Sequence, residues 1–114
     1  MAKKNQKTTI TFTYEDTPYK LEFTADSLKK MQNMGFDFGN MGSKILTVAE
    51  DLFCGAFIAN HSNVMRKKRL EIYRDLVEST EGGEDLIDVL LEMVNETIDE
   101  INYHEGNTKW EVNR

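Results

Sequence analysis

Residues 9–14, TITFTY, alternate strictly, with Ile10, Phe12 and Tyr14 on one side and threonines on the other. Residues 19–24, YKLEFT, alternate in the same way, with Tyr19, Leu21 and Phe23 on one side. A period of two in β-branched and aromatic residues predicts two strands. Between them EDTP reads as a four-residue turn, because Pro18 suits a turn better than a central strand. A turn of that length pairs Tyr14 with Tyr19, Phe12 with Leu21 and Ile10 with Phe23, all on one face. An isolated hairpin is marginal in water, so that face needs a cover.

After Thr24 the period lengthens to that of a helix. A first helix is predicted over about 25–34, capped by Thr24 or Asp26 and stopped at Gly35, with Leu28, Met31 and Met34 on its buried side. Residues 35–42, GFDFGNMG, form a loop with an unusual share of large apolar side chains. A second helix is predicted from Val48 to Asn60, with Thr47 and Glu50 as a capping box. Its second half, LFCGAFIA, is apolar nearly all round, so it is either central or has a face reserved for a partner. Gly55, Ala56 and Ala59 are small enough to admit a close neighbour. A third helix over 64–78 presents Met65, Leu70, Tyr73, Leu76 and Val77. STEGGE breaks the chain, and a last helix over 84–102 presents Ile87, Leu90, Leu91, Val94, Ile98 and Ile101. The expected architecture is α+β, a two-stranded antiparallel β-hairpin at the N-terminus packed on a bundle of about four helices. One domain spans 9–102, between a disordered N-terminus (1–8) and a flexible polar tail (103–114).

The length of 114 residues suits a single domain. A net charge of −6 repels nucleic-acid phosphates and argues against that class of partner. A single cysteine, Cys54, gives no internal disulfide and fits a reducing cytoplasm. MAKKNQKTT lacks the apolar stretch of a signal peptide, and the longest apolar run, Leu52–Ala59, is far short of the ~20 residues a membrane span needs.

Candidate chemistry is sparse. Cys54 and His61 lie about 10 Å apart along a helix axis, too far for a nucleophile–base pair and too few for a zinc site. Cys54 reads as a small core residue, and no metal or other cofactor is expected. Asp37 within FDFG lacks the rest of a kinase signature, and no other catalytic motif occurs, so the chain reads as non-enzymatic. Asp88, Glu92 and Glu96 share a helix face and read as solvated, with Arg66–Arg69 (RKKR) the basic neighbour expected to offset them. The same RKKR is a weak nucleic-acid signal without stacking aromatics. Met31, Met34, Phe36, Phe38 and Met41 are the main candidates for protein binding, because methionines accept varied partners. The alternative is that they fold over the hairpin and fill the core. Phe53 and Phe57, on the all-apolar helix, are further candidates. The two open edges of the hairpin invite strand addition.

The stretches ITFTYEDTPYKLEFT (10–24), LKKMQNMGFDF (28–38) and DLFCGAFIANH (51–61) resemble a family of small proteins from phages and prophages of Gram-positive bacteria. The resemblance runs over about residues 9–102 and is most specific at L-F-x-G-A-F-x-A-N-H. It implies a tail assembly chaperone of a long-tailed phage, which coats the tape measure protein in the host bacterial cytoplasm and is absent from the finished particle. It implies no catalytic residues. The rival expectations are a structural tail component that forms homo-oligomers through the hairpin or the apolar helix, and a small nucleic-acid-binding regulator.

Overall fold

In the computed structural model, which describes residues 7–79 and 83–107, the chain first reverses at Glu15 and Asp16. Both have positive φ, 52° and 67°. That is the two-residue turn whose twist matches the right-handed twist of the flanking strands. Strand β1 (Ile10–Tyr14) pairs antiparallel with β2 (Thr17–Leu21), in the register Tyr14–Thr17, Phe12–Tyr19 and Ile10–Leu21. The expected four-residue turn is therefore corrected to two, and β2 slides by two positions. A slip of two preserves the faces, so Ile10, Phe12, Tyr14, Tyr19 and Leu21 still point the same way. Pro18 lies inside β2 opposite Thr13. The pair next to the turn-closing pair exchanges no hydrogen bonds, so the missing N–H of proline costs nothing there.

Helix α1 (Ala25–Asn33) begins at a reciprocal cap. Thr24 Oγ1 accepts from Ser27 N–H at 3.0 Å, and Ser27 Oγ accepts from Thr24 N–H at 2.9 Å. Gly35, at φ 103°, ends the helix as its sequence position suggested. A 3-10 segment, Phe38–Lys44, kinked at Asn40, leads into α2 (Ile45–Gly55). The helix thus starts ahead of the predicted capping box, and Thr47 lies within it. It also stops at Gly55 instead of running on to Asn60; a separate short helix, α3 (Ile58–His61), follows. Glycine is a poor helix residue, and the Ala56 carbonyl accepts from Glu22 N–H of the hairpin at 3.2 Å.

Helix α4 (Arg66–Ser79) buries Ile72 completely, while Met65 is left 75% exposed ahead of it. Helix α5 (Gly83–Asn107) runs beyond the predicted end at 102. Once a helix is nucleated, each further residue adds a hydrogen bond, so extension needs no apolar stripe. Its buried line is Leu90, Met93, Val94 and Thr97, rotated slightly from the expected one. The Thr97 hydroxyl is satisfied by the Met93 carbonyl at 3.0 Å. The core joins Leu21 from the hairpin, Phe23 from the link after β2, which ends before the expected residue 24, Leu28 and Met31 from α1, Leu52, Phe53, Ala56 and Phe57 from the α2–α3 region, Ile72, and Leu90, Met93 and Val94 of α5. The fold is α+β: among the described residues, a hairpin is followed by five α-helices, of which α3 is one turn.

Lys7 and Thr8, expected in a disordered N-terminus, are tied down. Lys7 Nζ reaches the Phe23 carbonyl at 2.7 Å, and Thr8 binds Glu96 through N–H and hydroxyl at 2.9 and 2.7 Å. Residues 1–6 and 108–114, covering most of the expected tails, lie outside the described residues. Among the described residues, no helix is long and apolar enough to cross a membrane.

Candidate protein-binding site

The end of α1 builds one wall of an open cleft. Phe36 N–H returns to the Met31 carbonyl at 3.0 Å, so the chain folds back sharply around Gly35. This leaves Met34 at the lip, 70% exposed, the most exposed large apolar side chain of α1 and the loop after it. The cleft has a volume of about 510 Å³ and lies between the end of α1, α2 and the start of α4. Met31, Phe36, Cys54 and Gly55 supply apolar lining, and Asp51, Arg66 and Arg69 the polar rim. Gly55 leaves room for Met31: a Cβ at this position would come within 2.4 Å of Met31 Sδ and push the thioether aside.

The rim side chains are held by bonds within the chain, and Asp51 offsets one of the two arginines. Arg66 bonds Asp51 at 2.7 Å. Arg69 donates to the carbonyls of Val64, Cys54 and Ser62 at 2.7, 2.8 and 3.1 Å, closing the α2 end and the turn before α4. Its guanidinium also lies 5.4 Å from the centre of the Phe57 ring. Burial pushes the Cys54 thiol up from its ordinary range, with Arg66 and Arg69 pulling weakly the other way. A neutral, buried thiol is a poor nucleophile, so the cleft offers shape and apolar surface.

The seven candidates from the sequence fall into three groups. Met34 is exposed at the cleft. Phe36, Phe38 and Met41 are half-buried against the core, the two rings meeting edge-on with centroids 4.6 Å apart. Phe53 and Phe57 are interior at 0% exposure and present no surface to a partner in this conformation, and Met31, at 2%, offers only a small area at the floor of the cleft. Phe57 packs between Phe53 and Tyr19, with centroids at 5.4 and 5.7 Å. Asp51 and Arg66 were not foreseen as a pair, because they sit on different helices and no periodicity links them.

Two other expectations are corrected. RKKR does not offset the acidic face of α5: Arg66 and Arg69 are engaged at the cleft, and Lys68 reaches Glu15 at 2.7 Å and Glu71 at 3.6 Å. Three of its four side chains are thus tied within the chain, and Glu92 and Glu96 instead receive Thr8. The hairpin also has one closed edge. His61 Nε2 accepts Lys20 N–H at 3.0 Å, and Asn60 Nδ2 donates to the Lys20 carbonyl at 3.2 Å and to Glu22 at 2.8 Å. His61 is therefore occupied on the hairpin while Cys54 faces the cleft. Among the described residues, no group of three or more His, Cys, Asp or Glu could hold a metal ion.

A domain family described as a domain of unknown function, DUF5055, matches residues 1–114, and the chain belongs to that family. No curated protein and no solved structure matches it.

Proposed function

We propose that this DUF5055 protein is a non-enzymatic tail assembly chaperone of a phage or prophage. It acts in the host bacterial cytoplasm by holding apolar side chains of the tape measure protein in the cleft beside Met34. The observation that carries this reading is the cleft itself, an open hollow of mixed apolar and polar lining with a flexible thioether at its mouth and rim arginines held by bonds within the chain. The resemblance of residues 10–24, 28–38 and 51–61 to phage tail proteins supports the choice of client.

Magnitudes set the mode of binding. Burying one large apolar side chain yields about 1.5–3 kcal/mol, whereas micromolar affinity requires about 8 kcal/mol. A single seated side chain therefore gives weak, reversible contact, and stable coating of a long client needs many copies along it. Weak contacts also let go when the tail tube replaces the chaperone.

Co-expression tests the reading. The tape measure protein is expected to be more soluble with this chain and to co-purify with it, and Met34→Glu is expected to abolish both effects without unfolding the chain. Two folded proteins that form no complex would overturn the proposal. If the chain is a structural tail component instead, mass spectrometry of purified particles will find it in stoichiometric amount, whereas a chaperone is absent.

A further inference from the structure

We infer that a second copy of this chain adds its β1 to the open edge of β1, giving a four-stranded antiparallel sheet with the dyad at Thr11. The inference concerns a strand none of whose residues lines the Met34 cleft, and it does not depend on the client.

The hairpin is asymmetric. The edge of β2 is sealed: Pro18 has no N–H to offer, Lys20 gives its N–H and carbonyl to His61 and Asn60, and Glu22 N–H goes to the Ala56 carbonyl. Those bonds also fix the orientation of β1. Lys20 turns its backbone groups away from β1, and it faces Thr11. In an antiparallel ladder such a pair exchanges no bonds, so the N–H and carbonyl of Thr11 point outward, as do those of Thr13 two residues on. Both residues are exposed, and among the described residues nothing pairs with β1 on that side.

Exposed edges are ordinarily blunted by a charge, a proline or a bulge. β1, ITFTY, has none of these. It is instead complementary to itself. Antiparallel pairing about Thr11 sets Thr9 against Thr13 of the second copy, and Thr11 against its own equivalent. Threonine pairs of this kind are favourable across strands. On the other face Ile10 meets Phe12, both only half-buried in the single chain. At the ends the register brings the backbone of Lys7 to that of Glu15, so the nearest charges have opposite sign. A two-fold antiparallel pairing is closed and stops at the dimer. The acidic chains, at −6 each, repel at long range, so the dimer should tighten as salt is added.

Sedimentation velocity of the full chain across a concentration series tests this. The expected result is a monomer–dimer equilibrium that shifts toward dimer with salt. Thr11→Lys places two ammonium groups face to face on the dyad and should raise the dissociation constant about tenfold or more. Thr11→Val keeps a neutral β-branched residue and should leave it within about threefold. Far-UV circular dichroism verifies that each variant is folded. If Thr11→Lys fails to fold, amide exchange of Thr11 and Thr13 in the native chain replaces it, with protection expected to rise with concentration. A monomer at every concentration and salt would overturn the inference, including one whose β1 edge is occupied only by a client. So would a dimer that Thr11→Lys leaves intact, or edge amides that stay unprotected as the dimer forms.

Discussion

The sequence marks Phe57 and Met34 alike as binding candidates, and the structure separates them by stability. Phe57 is fully buried, touching Phe53, Tyr19 and His61 through its ring and the Arg69 guanidinium through its face. Truncation to alanine removes the whole ring from a site whose neighbours belong to β2, α2, α3 and α4, elements that cannot all move inward together. Such changes cost about 3–5 kcal/mol. A chain of 114 residues is stable by about 6–17 kcal/mol in total. Phe57→Ala should therefore remove a large share of the stability and lower the midpoint by about 15–30 °C. Met34→Ala, at a side chain 70% exposed, should stay within about 0.5 kcal/mol of the parent. Urea and thermal unfolding, each followed by far-UV circular dichroism, measure both variants. If Phe57→Ala costs less than about 1 kcal/mol with an unchanged denaturant slope, the ring does not sit in the core and the division of candidates fails.

Thr24→Ala removes the acceptor for Ser27 N–H at the start of α1 and should cost about 0.5–2 kcal/mol in the same unfolding assay; no loss would mean the reciprocal cap is not formed. Asp16→Gly relieves an aspartate held at φ 67° and should gain about 0.5–1 kcal/mol, read as a higher urea midpoint. The Tyr14 hydroxyl donates to Asp75 and lies 3.2 Å from Glu71, and the Asp75 hydrogen bond foremost pushes its pKa far above the usual value near 10. With the folded value raised, this contact stabilises fully below about pH 10 and is lost as pH climbs through the folded pKa. In an ultraviolet titration, Tyr14 should form phenolate well above pH 10, and Tyr14→Phe should delete that high-pH step; a high-pH limb unchanged by Tyr14→Phe would refute it.

Much of the fold was legible because it depends on local pattern. Alternation located both strands, and Thr24 and Gly35 bounded α1. The hairpin register was not legible, because EDTP reads as a four-residue turn until Pro18 is seen to sit at a position that donates nothing. The break at Gly55 was hidden for a similar reason. LFCGAFIANH is helical by period, and the bond from Glu22 N–H to the Ala56 carbonyl at the break joins residues 34 apart in sequence, beyond the reach of any local pattern. Burial of Ile72 follows from how α4 is rotated against its neighbours, which spacing within α4 does not specify, and Met65 is exposed because the helix begins only after it. At the cleft, Met34 was identifiable as a candidate, but its exposure depends on the tight return of Phe36 to Met31. Asp51 and Arg66 meet only once α2 and α4 pack.

The stretch from Leu52 to His61 is the most distinctive run of letters in the chain, yet its side chains mostly face inward or fasten the hairpin. Two phenylalanines fill the interior, a glycine makes room for a methionine, and the asparagine and histidine close a strand. Kinship detected through such a run transmits architecture and says little about cargo. Under the proposed reading, the exposed side chain that would meet a client lies outside this run, at Met34 where the chain turns after α1.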